Sequence, residues 1–239
     1  GIALSTDGTR LFTHDYMARN VLVFDTTAFN NGVGASASPI ASISTVSNEA
    51  LAPQVLTGKQ IFYNASDLRM SLDGYISCAS CHLEGGEDGR VWDFTDRGEG
   101  LRNTIDMRGR AGLGHGNLHW TASFDEMQDF ENDIRGPFSG QGFLSNSQFA
   151  TTADPLGAAK TGMSPELDAL AAYIGSLNEL PDSPYRSTSG ELTSSAIAGR
   201  THFLILGCTG CHTGPRFTDG NRHDVGTAQD SSGQGIGES

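Results

Sequence analysis

Lysine is almost absent from this chain: among 239 residues only Lys59 and Lys160 occur. Arginine brings the basic total to 15, against 28 aspartates and glutamates, for a formal net charge of −13. Nucleic acid is therefore not an expected partner, because phosphate binding needs a clustered positive surface. Long apolar runs are missing too. The longest, Ala169-Leu170-Ala171-Ala172-Tyr173-Ile174, falls far short of the ~20 residues that cross a bilayer as a helix, so a soluble chain with no transmembrane segment is expected. The first residues, Gly1 to Gly8, lack the basic and apolar regions of a secretory signal. Apolar side chains are scarce at 37%, while the 31 glycines are nearly double the usual ~7% share. Either much of the chain is loop, or something other than side chains fills the interior.

The cysteines decide between these. Cys78-Ala79-Ser80-Cys81-His82 and Cys208-Thr209-Gly210-Cys211-His212 use all four, with none left over. Zinc sites and thioredoxin-type redox sites also use C-x-x-C, but neither requires a histidine after both pairs, and the α/β pattern of the latter is absent. Structural disulfides explain an even count and not the histidines. Two thiols at this spacing can each add to a haem vinyl group, and the next imidazole then lies under the iron. Two covalently bound c-type haems are expected, with His82 and His212 as proximal iron ligands. Such attachment follows export, which points to a periplasmic or extracellular protein.

The two motifs sit in a degenerate repeat, with Gly58-Lys59-Gln60-Ile61-Phe62 ahead of the first and Gly199-Arg200-Thr201-His202-Phe203 ahead of the second. Each unit reads as a helix leading into a haem loop. The clearest helix lies between them: Ser164 caps it, Pro165 suits its first turn, and Leu167, Leu170, Ala171, Ile174 and Leu177 form one stripe. A shorter helix is expected from Phe124 to Ile134. Gly98-Glu99-Gly100, Gly112 to Gly116, Gly136 to Gly142 and the chain end from Thr227 to Ser239 read as loops, and Pro181 to Gly190 as a linker. The first forty residues read as two or three short strands joined by turn dipeptides. The expected fold is mainly α: two cytochrome c-like haem domains, at 50–180 and 185–239, with long loops and an N-terminal β segment at 1–45.

The ordered set of motifs resembles the bacterial di-haem cytochrome c peroxidases and their methylamine-enzyme-maturing relatives. From about Leu51 onward it comprises a helix, Ser77 to His82, Leu101-Arg102-Asn103-Thr104, His119-Trp120 with Phe124-Asp125-Glu126-Met127-Gln128, the second C-x-x-C-H, and Phe217-Thr218-Asp219. Ahead of it, Ser5-Thr6-Asp7-Gly8 and Val21-Leu22-Val23-Phe24-Asp25 are similar to the last part of a seven-bladed-propeller repeat. The resemblance implies haems facing each other across a domain interface, with Trp120 between them and Asn103 helping to hold a calcium ion. Core packing for Trp120 and a turn role for Asn103 are the competing readings.

The chain departs from that pattern twice. No histidine occupies Asp93 to Gly98, where the peroxidases carry a distal ligand, so the first haem either has an open sixth position or borrows His115 or His119. Only 27 residues follow His212, too few to include the family's second distal ligand, so an excerpt of a longer protein is expected. His14 and His202 read as structural, His223 as a loop residue or a second-iron ligand, and Met70 and Met163 as gap-fillers within reach of iron in principle.

Two functions follow. One is reduction of hydrogen peroxide, with Glu126, Gln128 and Glu131 as candidates for acid–base work. The other is a non-catalytic electron carrier serving a redox partner, as the haem end of a larger propeller-containing assembly. Both require two haems: the denatured intact mass should exceed the polypeptide mass by two haem additions, and fewer than two would contradict the reading of the motifs.

Overall fold

The computed structural model describes residues 1–34, 38–95, 99–109, 114–180, 182–223 and 225–226. The linker's Pro181, the loop expected from Thr227 to Ser239, and parts of those at Gly98 and Gly112 lie outside the described residues. So does the end of the Asp93–Gly98 stretch. The chain divides into two compact units, Gly1–Ala52 and Pro53–Ser239. No helix among the described residues is long and apolar enough to cross a membrane.

The first unit is an antiparallel sheet of four strands in sequence order: β1 (Ile2–Leu4), β2 (Arg10–Asp15), β3 (Asn20–Asp25) and β4 (Pro39–Ser44). Its register pairs Phe12 with Val23 and Leu11 with Phe24. A turn centred on Asp7 joins β1 to β2. There Gly8 adopts φ +70°, and the Asp7 carboxylate accepts from the Ser5 and Thr9 hydroxyls at 2.6 and 2.9 Å. A short helix, α1 (Thr27–Asn30), follows β3. The propeller resemblance is not upheld. A propeller needs repeated four-stranded blades around an axis, whereas this single sheet neither closes nor repeats and the chain passes directly into helices.

The second unit carries helices α2 (Pro53–Tyr63), α3 (Cys78–Cys81), α4 (Phe130–Arg135), α5 (Asn146–Thr151), α6 (Pro165–Gly175) and α7 (Ser194–Ile205), with a hairpin of β5 (Val91–Phe94) and β6 (Gly100–Asn103). The fold is thus mixed rather than mainly α, because β5 pairs with β6 and four more strands precede residue 45. The helix expected from Phe124 is shortened: the Asp129 carboxylate accepts the backbone N–H groups of Asp125 and Glu126 at 3.1 and 3.0 Å, leaving a tight turn at Met127–Asp129 before α4.

The core forms where α2 crosses α6. Ser164 caps α6 by accepting from the Leu167 N–H, and Pro165 occupies its first turn. Ile61, Phe62, Leu170, Tyr173 and Ile174 are buried together with Met70, Leu118, Phe124, Met127 and Ile134. Phe62 meets Tyr173 edge to face at 5.1 Å. Gly58 permits the close approach: a Cβ there would overlap the Ala169 carbonyl and come within 2.8 Å of Tyr173 Cβ. Gly58→Ala should therefore destabilise the protein by roughly 3 kcal/mol, the upper end for overpacking, even though alanine favours helix formation. Denaturant unfolding of the holo-protein tests this, and an unchanged midpoint would contradict the backbone contact.

Candidate functional site

The first C-x-x-C-H begins where Ser77, in extended conformation, donates its N–H to Ser80 Oγ at 3.0 Å and starts α3. One helical turn puts Cys78 and Cys81 on the same face. None of the four cysteines is in a disulfide. Burial pushes the Cys78 thiol up to about 12, with smaller contributions from Cys81 and Asp133. Its sulfur packs against the apolar core. His82 ends α3 with Nδ1 facing the carbonyls of Ile105 at 3.0 Å and Gly86 at 3.3 Å. Two acceptors there place the proton on Nδ1 and leave the Nε2 lone pair for a ligand, the arrangement that orients metal-binding imidazoles. Burial also lowers the His82 pKa, which favours the neutral ring.

The second motif repeats this local chemistry. After α7, Gly207 turns the chain at φ +77° into the tight turn Cys208–Gly210. His212 sets Nδ1 against the Phe217 carbonyl at 3.1 Å, and Phe203 lies 6.1 Å from both the His212 and Phe217 rings. The surroundings differ, since His212 is exposed whereas His82 is half-buried.

A third histidine stands beside the first motif. A bridge between Leu118 and Phe124 closes a turn in which His119 adopts φ +64°, a conformation rare for non-glycine residues. This turn sends neighbouring side chains opposite ways. Trp120 is 56% exposed and donates its indole N–H to the Asn103 carbonyl at 2.9 Å. The His119 ring is tucked against Phe124 at 4.2 Å and Phe130 at 5.1 Å. Its Nδ1 lies 2.9 Å from Ser123 Oγ and 3.4 Å from Glu99, and its Nε2 lies 3.5 Å from Asp133. Glu99 and Asp133 are both buried. Carboxylates on either side of one imidazole form a group able to hold or pass a proton. The sequence offered His119, as an alternative to His115, without Glu99 and Asp133, because these lie 20 residues before and 14 after it.

Glu126, Gln128 and Glu131 are engaged elsewhere. Glu126 accepts from the Lys160 N–H and from the Thr161 N–H and hydroxyl. Gln128 donates to Asp168 at 2.8 Å, and the fully buried Glu131 accepts from Arg135 and from the N–H groups of Phe143 and Leu144. Together they tie the region around α4 to α6 and to the loops. Asn103 ends β6 with its side exposed, and His115 is half-buried in the turn before Asn117. His223 pairs with Asp219 at 2.9 Å, Met70 is buried in the core, and Met163 stands ahead of α6. Among the described residues, no cluster of three or more His, Cys, Asp or Glu side chains is arranged to hold a metal ion.

Homology ties this chain to the redox superfamily of hydrazine synthase and the di-haem cytochrome c peroxidase-like proteins. It is 34% identical over 179 residues to the gamma subunit of hydrazine synthase from Kuenenia stuttgartiensis, covering 70% of this chain and 47% of that one. It is 25% identical over 201 residues to the cytochrome-c peroxidase IdrP1 of a Pseudomonas species, covering 75% of this chain and 51% of that one. A solved structure of Kuenenia stuttgartiensis hydrazine synthase under 20 bar xenon aligns at a TM-score of 0.55 with 28% identity, over 81% of this chain and 67% of that one. The chain thus spans about half the length of the curated relatives it matches. No protein-family model matches it. A propeller repeat finds no support in these matches.

The sequence reading also missed the buried pair of Lys160 and Asp129, 2.6 Å apart. Burial raises the Asp129 pKa, and Lys160 opposes the shift. Lys160→Met leaves a buried carboxylate without its cation and should cost about 3–5 kcal/mol. Adding Asp129→Asn should recover part of the loss. Equilibrium unfolding of the two variants checks this, and a neutral single variant would contradict it.

Proposed function

We propose that this chain is a di-haem c-type redox protein whose first haem site reduces a small oxidant, with hydrogen peroxide the substrate implied by the family resemblance. The observation that supports it is the shared histidine geometry: in both C-x-x-C-H motifs, Nδ1 faces a backbone carbonyl and Nε2 is left to bind. Cys78 and Cys81 would hold one haem and Cys208 and Cys211 the other, in domains spanning roughly 50–180 and 185–239, with His82 and His212 as proximal ligands. Two attached haems supply two one-electron steps, the number needed to reduce peroxide to two waters.

The chain's own task is then to move protons. His119 suits it better than Glu126, Gln128 or Glu131, whose polar atoms hold the structure together. With Ser123 and Glu99 at Nδ1 and Asp133 at Nε2, the imidazole can take a proton at one nitrogen and release one from the other. Phe124 and Phe130, which flank the His119 ring, pack with the core that Cys78 also packs on, which supports a role for this group beside the first motif. Trp120 is assigned to electron passage between the haems, and a calcium ion at Asn103 would rest on amide and carbonyl oxygens. The protein works in the periplasm or outside the cell. A donor protein with a basic surface complements the net charge of −13.

The test is stopped-flow reoxidation of the reduced holo-protein by peroxide. His119→Gln should slow it by roughly 100-fold, a usual scale for losing a general acid–base group, with both haems still attached. An unchanged rate would remove His119 from proton transfer. No reaction with peroxide, with both haems low-spin in every redox state, would instead support the electron carrier.

A further inference from the structure

The His82 imidazole leans on two segments that are distant along the chain: Nδ1 faces the Ile105 carbonyl at 3.0 Å and the Gly86 carbonyl at 3.3 Å. Neither carbonyl belongs to a regular helix or strand, so something else must fix their directions. The turn leading to Gly86 has Glu84 at φ +51°, a conformation rare outside glycine that persists only where its surroundings hold it.

Arg108 reaches both segments. Its backbone N–H donates to Asp106 Oδ1 at 2.9 Å, and its guanidinium forks onto the same carboxylate, Nε to Oδ1 at 3.1 Å and Nη2 to Oδ2 at 2.6 Å. This fixes Asp106, and with it the planar peptide that carries the Ile105 carbonyl. The guanidinium also lies against the other segment: a Cβ on Gly86 would stand 2.9 Å from Nη2, and Gly85 and Gly86 are buried. Met107 donates its N–H to the Gly85 carbonyl at 2.9 Å, and Gly109 donates to the Leu177 carbonyl at 2.6 Å, which anchors the arm to the chain just beyond α6. The Arg108 and Asp106 side chains are 29% and 35% exposed, and ion pairs so placed add little to stability. What this pair contributes is position.

We propose that Asp106 and Arg108 form a clamp that positions the His82 imidazole, holding the Ile105 and Gly86 carbonyls on Nδ1 and so setting the reduction potential of the haem that Cys78 and Cys81 would hold. A firm acceptor at Nδ1 makes the imidazole a more basic ligand, which favours ferric iron. The clamp rests on the haem attachment proposed above and not on the peroxide chemistry.

The test is a spectroelectrochemical titration of the full holo-protein, with the two haems told apart by His212→Met, which perturbs the second. Arg108→Lys keeps the charge and loses the fork. It should shift the ferrous-to-ferric ratio of the first haem, read at one fixed potential, roughly threefold toward ferrous while the second haem's ratio stays in place. An unchanged ratio in Arg108→Lys would overturn the clamp, as would an equal shift in both haems, which would signify general loosening. Arg108→Met separates geometry from charge, since loss of a cation alone moves the ratio toward ferric. A ferric shift there, beside an unmoved Arg108→Lys, would reduce the pair to its charge and overturn the positioning role. Intact mass taken first distinguishes the two failures: a protein lacking the first haem addition refutes the attachment and the clamp with it, whereas full attachment with an unmoved ratio refutes the clamp alone.

Discussion

The contact between α2 and α6 at Gly58 supports the rest of the structure around the first C-x-x-C-H motif. Two helices meeting at backbone distance bring Phe62 and Tyr173 into edge-to-face contact and bury the aliphatic residues around them. Cys78 and Ala79 pack on this core, so the start of α3 is set by it. The carbonyls of Ile105 and Gly86 then hold His82, with the two segments joined by the Met107 N–H donating to the Gly85 carbonyl. Gly85 and Gly109 lie close beneath Leu177 and Leu180, just beyond α6, so the same end of the helix that makes the core also shapes the chain around the His82 imidazole.

Two identical pentapeptide patterns end in unlike surroundings. Around His82, the apolar core and buried carboxylates make a low-dielectric site, whereas His212 is open to solvent. Haem potentials depend on burial and on hydrogen bonding to the axial ligand. Equal local chemistry thus stands in unequal environments, the first imidazole half-buried beside the core and the second exposed among the described residues.

The acidic composition takes on a specific meaning inside the fold. Most of the excess negative charge serves solubility and partner choice, but Glu99, Asp129, Glu131 and Asp133 are buried, each with a named cation, histidine or backbone donor nearby. The scarce lysines matter for the same reason. Lys160 is fully enclosed on Asp129, and it stabilises the turn that delivers Phe130 and Asp133 to the side of His119.

Much was legible along the chain wherever the physics is local. The doubled C-x-x-C-H, the capped helix after Ser164, the helices before each motif and the strands near the N-terminus all depend on contacts a few residues apart, where spacing and periodicity carry the information. The pairing of β5 with β6 was missed because the strands are only four residues each and the second begins at a glycine read as loop. The helix from Phe124 was overextended because a side chain, Asp129, took the backbone donors a helix start would leave free. The propeller reading failed because one short blade-like repeat cannot reveal whether others surround it. What the sequence by itself determined is the covalent and local chemistry: two thiol pairs, each followed by an imidazole. Only the tertiary structure decided that His119 lies between Glu99 and Asp133, that Glu131 and Lys160 are buried, and that Gly58 meets the backbone of Ala169. Those outcomes depend on which distant segments share one volume, and that is set by packing across the whole core rather than by any pattern within reach of a single turn.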